Sequence, residues 1–251
     1  MPESLRPAAA ERWAVPIPGV DQSVGMMLLP ALLSLIAGSC DIITFIGLGG
    51  LFSAHITGNL VILIARVAAG NPAQFSHILS VPVFVAALGA TTLLAALLGR
   101  AGISSLRPLL LLQFLLLSGS LFICVRADGM IEPSSEEALL AGMLAVSAMA
   151  VQNGIVQVSV KGMPSTAVMT TNVSRFIVDF IAALSERDQM SAAKAASRAR
   201  HTAPAIVGFA VGCGLGAGSE IFIGLWALAL PTALALLALL NGLATTARSS
   251  P

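Results

Sequence analysis

Three ionisable side chains sit inside otherwise apolar runs: Asp41, Arg175 and Asp179. A charge at the centre of a bilayer costs about 2.5–3.5 kcal/mol on insertion scales, so such groups are kept where protein, water or a ligand compensates them. Asp41 has apolar residues on both sides. It reads as a contact for a proton, a cation or a solute, or else as a hydrogen-bond acceptor within a helix bundle. Arg175 and Asp179 are four residues apart, so on a helix they share a face and can form an ion pair. Asp41 is a second partner open to Arg175. Arg66 lies thirteen residues into the run 54–70, near its end, and reads as snorkelling to the cytoplasmic interface.

Two polar, helix-breaking stretches resemble each other. Residues 49–61 read Gly-Gly-Leu-Phe-Ser-Ala-His-Ile-Thr-Gly-Asn-Leu-Val, and residues 162–174 read Gly-Met-Pro-Ser-Thr-Ala-Val-Met-Thr-Thr-Asn-Val-Ser. Laid together without a gap, at an offset of 113 (49 to 162), Gly49 meets Gly162, Thr57 meets Thr170 and Asn59 meets Asn172. Each follows an apolar run that carries polar residues: Asp41 and Thr44 in the first, Gln152, Asn153 and Gln157 in the second. Glycine weakens helix, and broken backbone at membrane depth persists only where it lines a cavity or is covered by protein. Two such breaks facing each other make a polar site. The simpler reading is a tight loop, with Asn59 and Asn172 capping the helices that follow.

Other chemistries lack their residues. His55 has no carboxylate or cysteine at ligand spacing, so no metal site is expected and the imidazole reads as a hydrogen-bonding group at the break. His77 and His201 read as interfacial. Cys40, Cys124 and Cys213 are widely spaced in apolar runs and read as buried small hydrophobes. No nucleophile motif, Walker loop or H-E-x-x-H is present, so no enzyme activity and no cofactor are expected. The glycine-rich run 212–218 has no preceding strand, which excludes a dinucleotide loop. Gly208, Gly212 and Gly216, four apart, read instead as a close-packing helix face. That face is the expected contact for a second copy of the chain.

The elements that must hold these residues follow from composition. The chain has 251 residues, 57% hydrophobic and only 10% charged. So few charges cannot cover the surface of a water-soluble domain, and a net charge of +1 offers no field for nucleic acid. Apolar runs lie near 25–48, 54–70, 79–99, 107–126, 139–159, 166–184, 203–220 and 222–243. A spanning helix needs about 20 apolar residues. The pattern predicts an all-α polytopic bundle of about eight spans, or seven if one of the short or polar runs fails to cross. The repeat divides it into two halves of about four spans, 24–126 and 139–243, flanked by polar tails at 1–23 and 244–251. An even number of spans per half places the two copies in parallel orientation.

With the N-terminus inside, Arg6, Arg12, Arg66, Arg126, Arg187, Lys194, Arg198, Arg200 and Arg248 fall on the cytoplasmic side. Only Arg100, Arg107 and Lys161 fall outside. That bias predicts cytoplasmic termini, and the 185–202 stretch reads as an amphipathic cytoplasmic helix.

Ala37-Gly38-x-x-Asp41, the Gly49-Gly50-x-Phe52-x-Ala54-x-x-Thr57-Gly58-Asn59 block, Gln152-Asn153 and the Thr166, Thr170-Thr171-Asn172 echo together resemble the YoaK family. The likeness runs from about residue 25 to 243. It implies a polytopic protein of the bacterial inner membrane and no established activity. The second motif departs from the first, with Thr171 where the first break has Gly58.

The expectation is a small-solute transporter or permease, coupled to an ion or proton, in which Asp41, Thr57, Asn59, Asn153, Thr170, Asn172 and Arg175 form the site. Its partners are the lipid bilayer and a small solute or ion. The alternative is a non-transporting assembly or sensory subunit.

Overall fold

A computed structural model describes residues 24–247 except 130, 161, 162 and 167. The expected tail at 1–23 lies outside the described residues. Eight α-helices follow in order: α1 (Val24–Gly47), α2 (Ile56–Ala68), α3 (Phe75–Arg100), α4 (Leu106–Arg126), α5 (Glu136–Gly154), α6 (Met169–Ser185), α7 (Gln189–Ile223) and α8 (Ala229–Ala247). One π-helical turn, Ile155–Ser159, extends α5, and a 3-10 turn, Gly224–Leu228, joins α7 to α8. There is no strand among the described residues.

The apolar runs make helix because only helix satisfies every backbone group within its own segment in lipid. Hydroxyls inside the helices bond back to their own turns. Ser39 donates to the Leu35 carbonyl, Thr44 to Cys40 and Thr91 to Ala87. Two starts outside the apolar runs, those of α5 and α7, carry side-chain caps. Ser135 accepts from the Ala138 N–H, with Glu136 and Glu137 in the first turn of α5. Asp188 accepts from the N–H groups of Met190 and Ser191 at the start of α7. The Ser191 hydroxyl, with those N–H groups, holds the Asp188 carboxyl below the usual carboxylate range.

α1 and α5 are the buried central helices, and α3 exposes most of its surface. The tightest seam lies between α1 and α7. A Cβ on Gly208 would strike the backbone of Ala31, one on Gly212 the Leu35 carbonyl, and one on Gly216 the backbone of Ser39. Gly38 lies as close to the backbone of Phe209 and Cys213. In lipid no hydrophobic force pulls helices together, so close backbone contact of this kind carries association. The glycines expected to meet a second copy are therefore buried against α1 of the same chain, and that face is taken.

The register of the contacts fixes the helix directions. Ala31, Leu35 and Ser39 meet Gly208, Gly212 and Gly216 in rising order, so α1 and α7 are parallel. Gln152 bonds the Leu33 carbonyl while Gly142 meets Leu51, so α1 and α5 are antiparallel. Gln113 bonds Gln152 and Ser120 bonds the Ala141 carbonyl, so α4 is antiparallel to α5. Thr91 meets Gly154 and Ser105 bonds Ser159, so α3 is parallel to α5. Leu110 meets Gly242 and Gly129 meets Trp226, so α8 is antiparallel to α4.

These directions correct the expected parallel halves. α1, α4 and α7 run one way, and α3, α5 and α8 run the other. The expected count included 54–70 and 166–184, which form the two shortest α-helices. α2 has 13 residues, about 20 Å of helix, against a hydrocarbon core of about 30 Å. α6 has 17 residues and packs on α7, with Asp179 opposite Arg198. That part of α7 lies ahead of the Gly208–Ala31 contact, beside or beyond the beginning of α1. Among the described residues five apolar stretches are long enough to cross a membrane: 29–47, 75–100, 106–126, 136–159 and 189–242. The last is α7 and α8 in succession. Gly224, at φ +57°, makes the reversal between them, and a Cβ there would meet the Gly129 carbonyl.

Gly212→Leu is expected to lower the midpoint of thermal unfolding in detergent by the equivalent of about 2 kcal/mol or more. Gly214→Leu, on the open side of the same helix where nothing lies within 4 Å, leaves it unchanged. Equal midpoints for the two variants would refute the seam.

Candidate functional site

The first break is shaped by two glycines and one asparagine. Gly50 donates to the Phe45 carbonyl at 2.9 Å to end α1, with Gly49 at φ +70° and Gly50 at φ +87°. A residue with a Cβ rarely adopts that conformation. The chain then turns back along α1, and Phe52 stacks on Phe45 at 4.7 Å between ring centroids. Asn59, fully buried in the first turns of α2, receives the Phe52 N–H on Oδ1 and donates from Nδ2 to the Phe52 carbonyl, both at 2.8 Å. It ties the loop to the helix by a double bond-pair, rather than capping α2 in the ordinary sense.

This fold-back carries Ser53, Ala54 and His55 to Asp41. The Asp41 carboxylate accepts from the Ala54 N–H at 2.7 Å, the Ser53 hydroxyl at 3.3 Å and the His55 N–H at 3.4 Å. His55 adds Nδ1 on the second oxygen at 2.6 Å. Asp41 is 3% exposed and lies at the positive end of α2. Four donors on one carboxylate, two of them main-chain, are what make a charge tolerable in a dry interior. The His55 side chain remains 34% exposed, with its ring edge-on to Phe52 and to Phe209 of α7. The pair therefore has a sealed end, the carboxylate, and an open end, the imidazole.

The second break is built alike and carries no charge. Asn172 donates from Nδ2 to the Ser165 carbonyl at 2.6 Å, the same seven-residue reach as Asn59 to Phe52. Thr166 accepts from Gln152 Nε2 at 3.0 Å, as Ser53 meets Asp41 in the first break. Gln152 Nε2 also donates to the Leu33 carbonyl at 2.9 Å, and Gln113 donates to Gln152 Oε1 at 2.7 Å. The result is a buried chain of neutral amide and hydroxyl groups joining α4, α5, α1 and the loop. The π-helical turn at 155–159 precedes this loop; such turns recur at functional sites.

Not every expected site residue is here. Asp41, Asn59 and Asn172 are central. Asn153 is buried beside Gln152 but takes no part in the chain of bonds. Thr57 and Thr170 are exposed, outside both clusters. Arg175 is exposed on α6, and Asp179 bonds Arg198 Nε of α7 at 2.7 Å. The expected Arg175–Asp179 pair is thus replaced, because the antiparallel packing of α7 on α6 brings a better placed guanidinium. His77 is not interfacial. It is fully buried and donates from Nε2 to the Gly50 carbonyl at 3.1 Å, bracing the first turn. Ser53, Gln113 and Thr166 were not expected. One signal marks Thr166: it follows Gln152 by fourteen residues, as His55 follows Asp41. The three cysteines are free. Among the described residues no three His, Cys, Asp or Glu side chains are grouped to hold a metal.

Apolar helices of membrane-crossing length around a buried carboxylate–imidazole pair define a helical membrane protein. Over residues 29–241 the chain matches the family model described as protein of unknown function, DUF1275, and it belongs to that family, of which YoaK-like proteins are members. Comparison with curated proteins and with solved structures returns no match.

A double-mutant cycle with Asp41→Asn and His55→Gln is expected to give a coupling energy of about 1.5–3 kcal/mol in detergent unfolding. Additive losses would mean that the two side chains do not share a proton.

Proposed function

We propose that the protein is a small-solute transporter or permease of the bacterial inner membrane, coupled to protons or a cation through Asp41 and His55. One observation carries the reading: each half sends a broken loop back along the helix it follows, the first onto Asp41 of α1 and the second onto Gln152 of α5. Asp41 and Leu33, the α1 residues met by the first loop and by Gln152, are eight residues apart, about 12 Å along the helix. One polar position is charged and the other neutral. This suits a site in which a proton or cation sits at Asp41 while the amides and hydroxyls of Gln113, Gln152 and Thr166 meet a solute.

The helix directions support six crossings, α1, α3, α4, α5, α7 and α8, in two halves of inverted topology. α2 and α6 are short helices at opposite faces. Exchanging halves maps the α1–α7 packing onto α5–α3, and α4–α5 onto α8–α1. Inverted repeats with discontinuous helices are a recurring transporter plan. The charges fit this plan better than eight spans. Arg100, Arg107, Arg187, Lys194, Arg198 and Arg200 fall on the side of the termini, the cytoplasm by the positive-inside rule. Arg66 and Arg126 fall opposite, among Asp128, Glu132, Glu136, Glu137 and Glu220. Arg100 and Arg107, outside in the eight-span scheme, now join the basic side.

Asp41, Gln152 and Asn172 are all buried, which suits an occluded state. It also suits the second reading, a sealed assembly or sensory subunit. Two experiments test the reading, the first its topology and the second its transport. Ser104→Cys is expected to react with a membrane-impermeant maleimide only after cells are opened, and Ser134→Cys in intact cells; eight alternating spans require the reverse. In proteoliposomes, solute-dependent proton uptake is expected from the wild type across a broad solute panel and is lost in Asp41→Asn. A wild type that moves neither solute nor proton would rule out transport.

A further inference from the structure

We infer that the hairpin of α6 and the first turns of α7 is a binding surface for anionic phospholipid headgroups. α7 has 35 residues, about 52 Å of helix, far longer than the hydrocarbon core. Gly208 is level with Ala31 of α1, so nearly twenty residues of α7 precede that contact. α6 lies along this leading part, on the same side as the start of α1 and the end of α8. Pro204, inside α7, removes a helix hydrogen bond just before the glycine seam, the kind of position at which helices bend.

α6 is built for an interface. Its Asn172, Phe176 and Asp179 side faces α7, where Ala195, Ala199 and Thr202 are buried. A second side exposes Val173, Ile177, Phe180 and Leu184, from 44% to 69% of each residue. The remaining side carries Thr171, Ser174 and Arg175 in the first turns and the exposed Val178 and Ile181 beyond them. A broad exposed apolar surface with polar residues gathered at one end of a short helix suits the boundary between headgroups and acyl chains.

The bases of the hairpin are more available than its acids. Asp179 is bonded to Arg198, Asp188 caps α7, and Glu186 accepts from the N–H groups of Arg187 and Asp188. Arg175, Arg187, Lys194 and Arg200 are exposed, and none of them is in a salt bridge among the described residues. Four exposed cations on the hairpin that carries the apolar stripe complement a phosphate headgroup above acyl chain. The inference rests on where α6 lies and is independent of transport.

The test uses the full chain purified in neutral detergent. Its thermal midpoint is followed while phosphatidylglycerol, phosphatidylcholine or inorganic phosphate is added. Phosphatidylglycerol alone is expected to raise the midpoint, and the rise should fade at high salt. The triple variant Arg175→Gln, Lys194→Gln and Arg200→Gln is expected to bind phosphatidylglycerol on the order of 100-fold more weakly. A rise of equal size with phosphatidylcholine, or with free phosphate, overturns the inference, as does an unchanged triple variant. A spin label at Ile177→Cys reads depth even if the triple variant fails to fold. A label near the phosphate plane agrees with the inference, and one at the bilayer centre overturns it.

Discussion

A carboxylate in a dry interior must be surrounded by donors, and much of the first half of this protein is arranged to supply them to Asp41. Two of the donors are backbone N–H groups, which exist only because the chain breaks after α1 and turns back. The turn needs the left-handed conformations of Gly49 and Gly50, the return needs the Asn59 clamp on Phe52, and His77 braces the corner from α3. Removing the charge would leave main-chain donors without an acceptor, and removing the break would leave the charge bare. Each makes the other tolerable.

The second half keeps the same device with the charge taken out. Gln152 stands where the loop needs an acceptor and a donor together, and it reaches α1 and α4 as well as Thr166. A neutral amide costs less to bury than a carboxylate but must have its groups satisfied on several sides. That explains why the neutral cluster draws on four segments, whereas Asp41 is satisfied by its own loop. The difference between the halves is chemical, and the backbone plan is shared.

Much of this was legible in the residues. Apolar run length gave the helical membrane class, and the Gly-Gly and Asn pattern marked both breaks before any coordinates. Asp41 stood out through the cost of its burial. Direction did not stand out, because hydropathy cannot separate a run that crosses from one that lies at a surface. Residues 54–70 and 166–184 were apolar enough to count, and nothing in their hydropathy told that their helices would be the shortest, 13 and 17 residues long. Arg175 was misplaced for a related reason. A sequence shows the partner four residues along its own helix, but Arg198 reaches Asp179 through packing. The glycines of α7 signalled close packing correctly and could not say against what.

The seam between α1 and α7 has a mechanical consequence. Two helices whose main chains touch at three successive turns cannot roll or slide without collision, so they behave as one beam. The beam begins past Pro204, at the Gly208 contact, and carries Phe209 against the His55 ring. Any rearrangement that opens the interior must run along the other seams, where side chains rather than backbones meet.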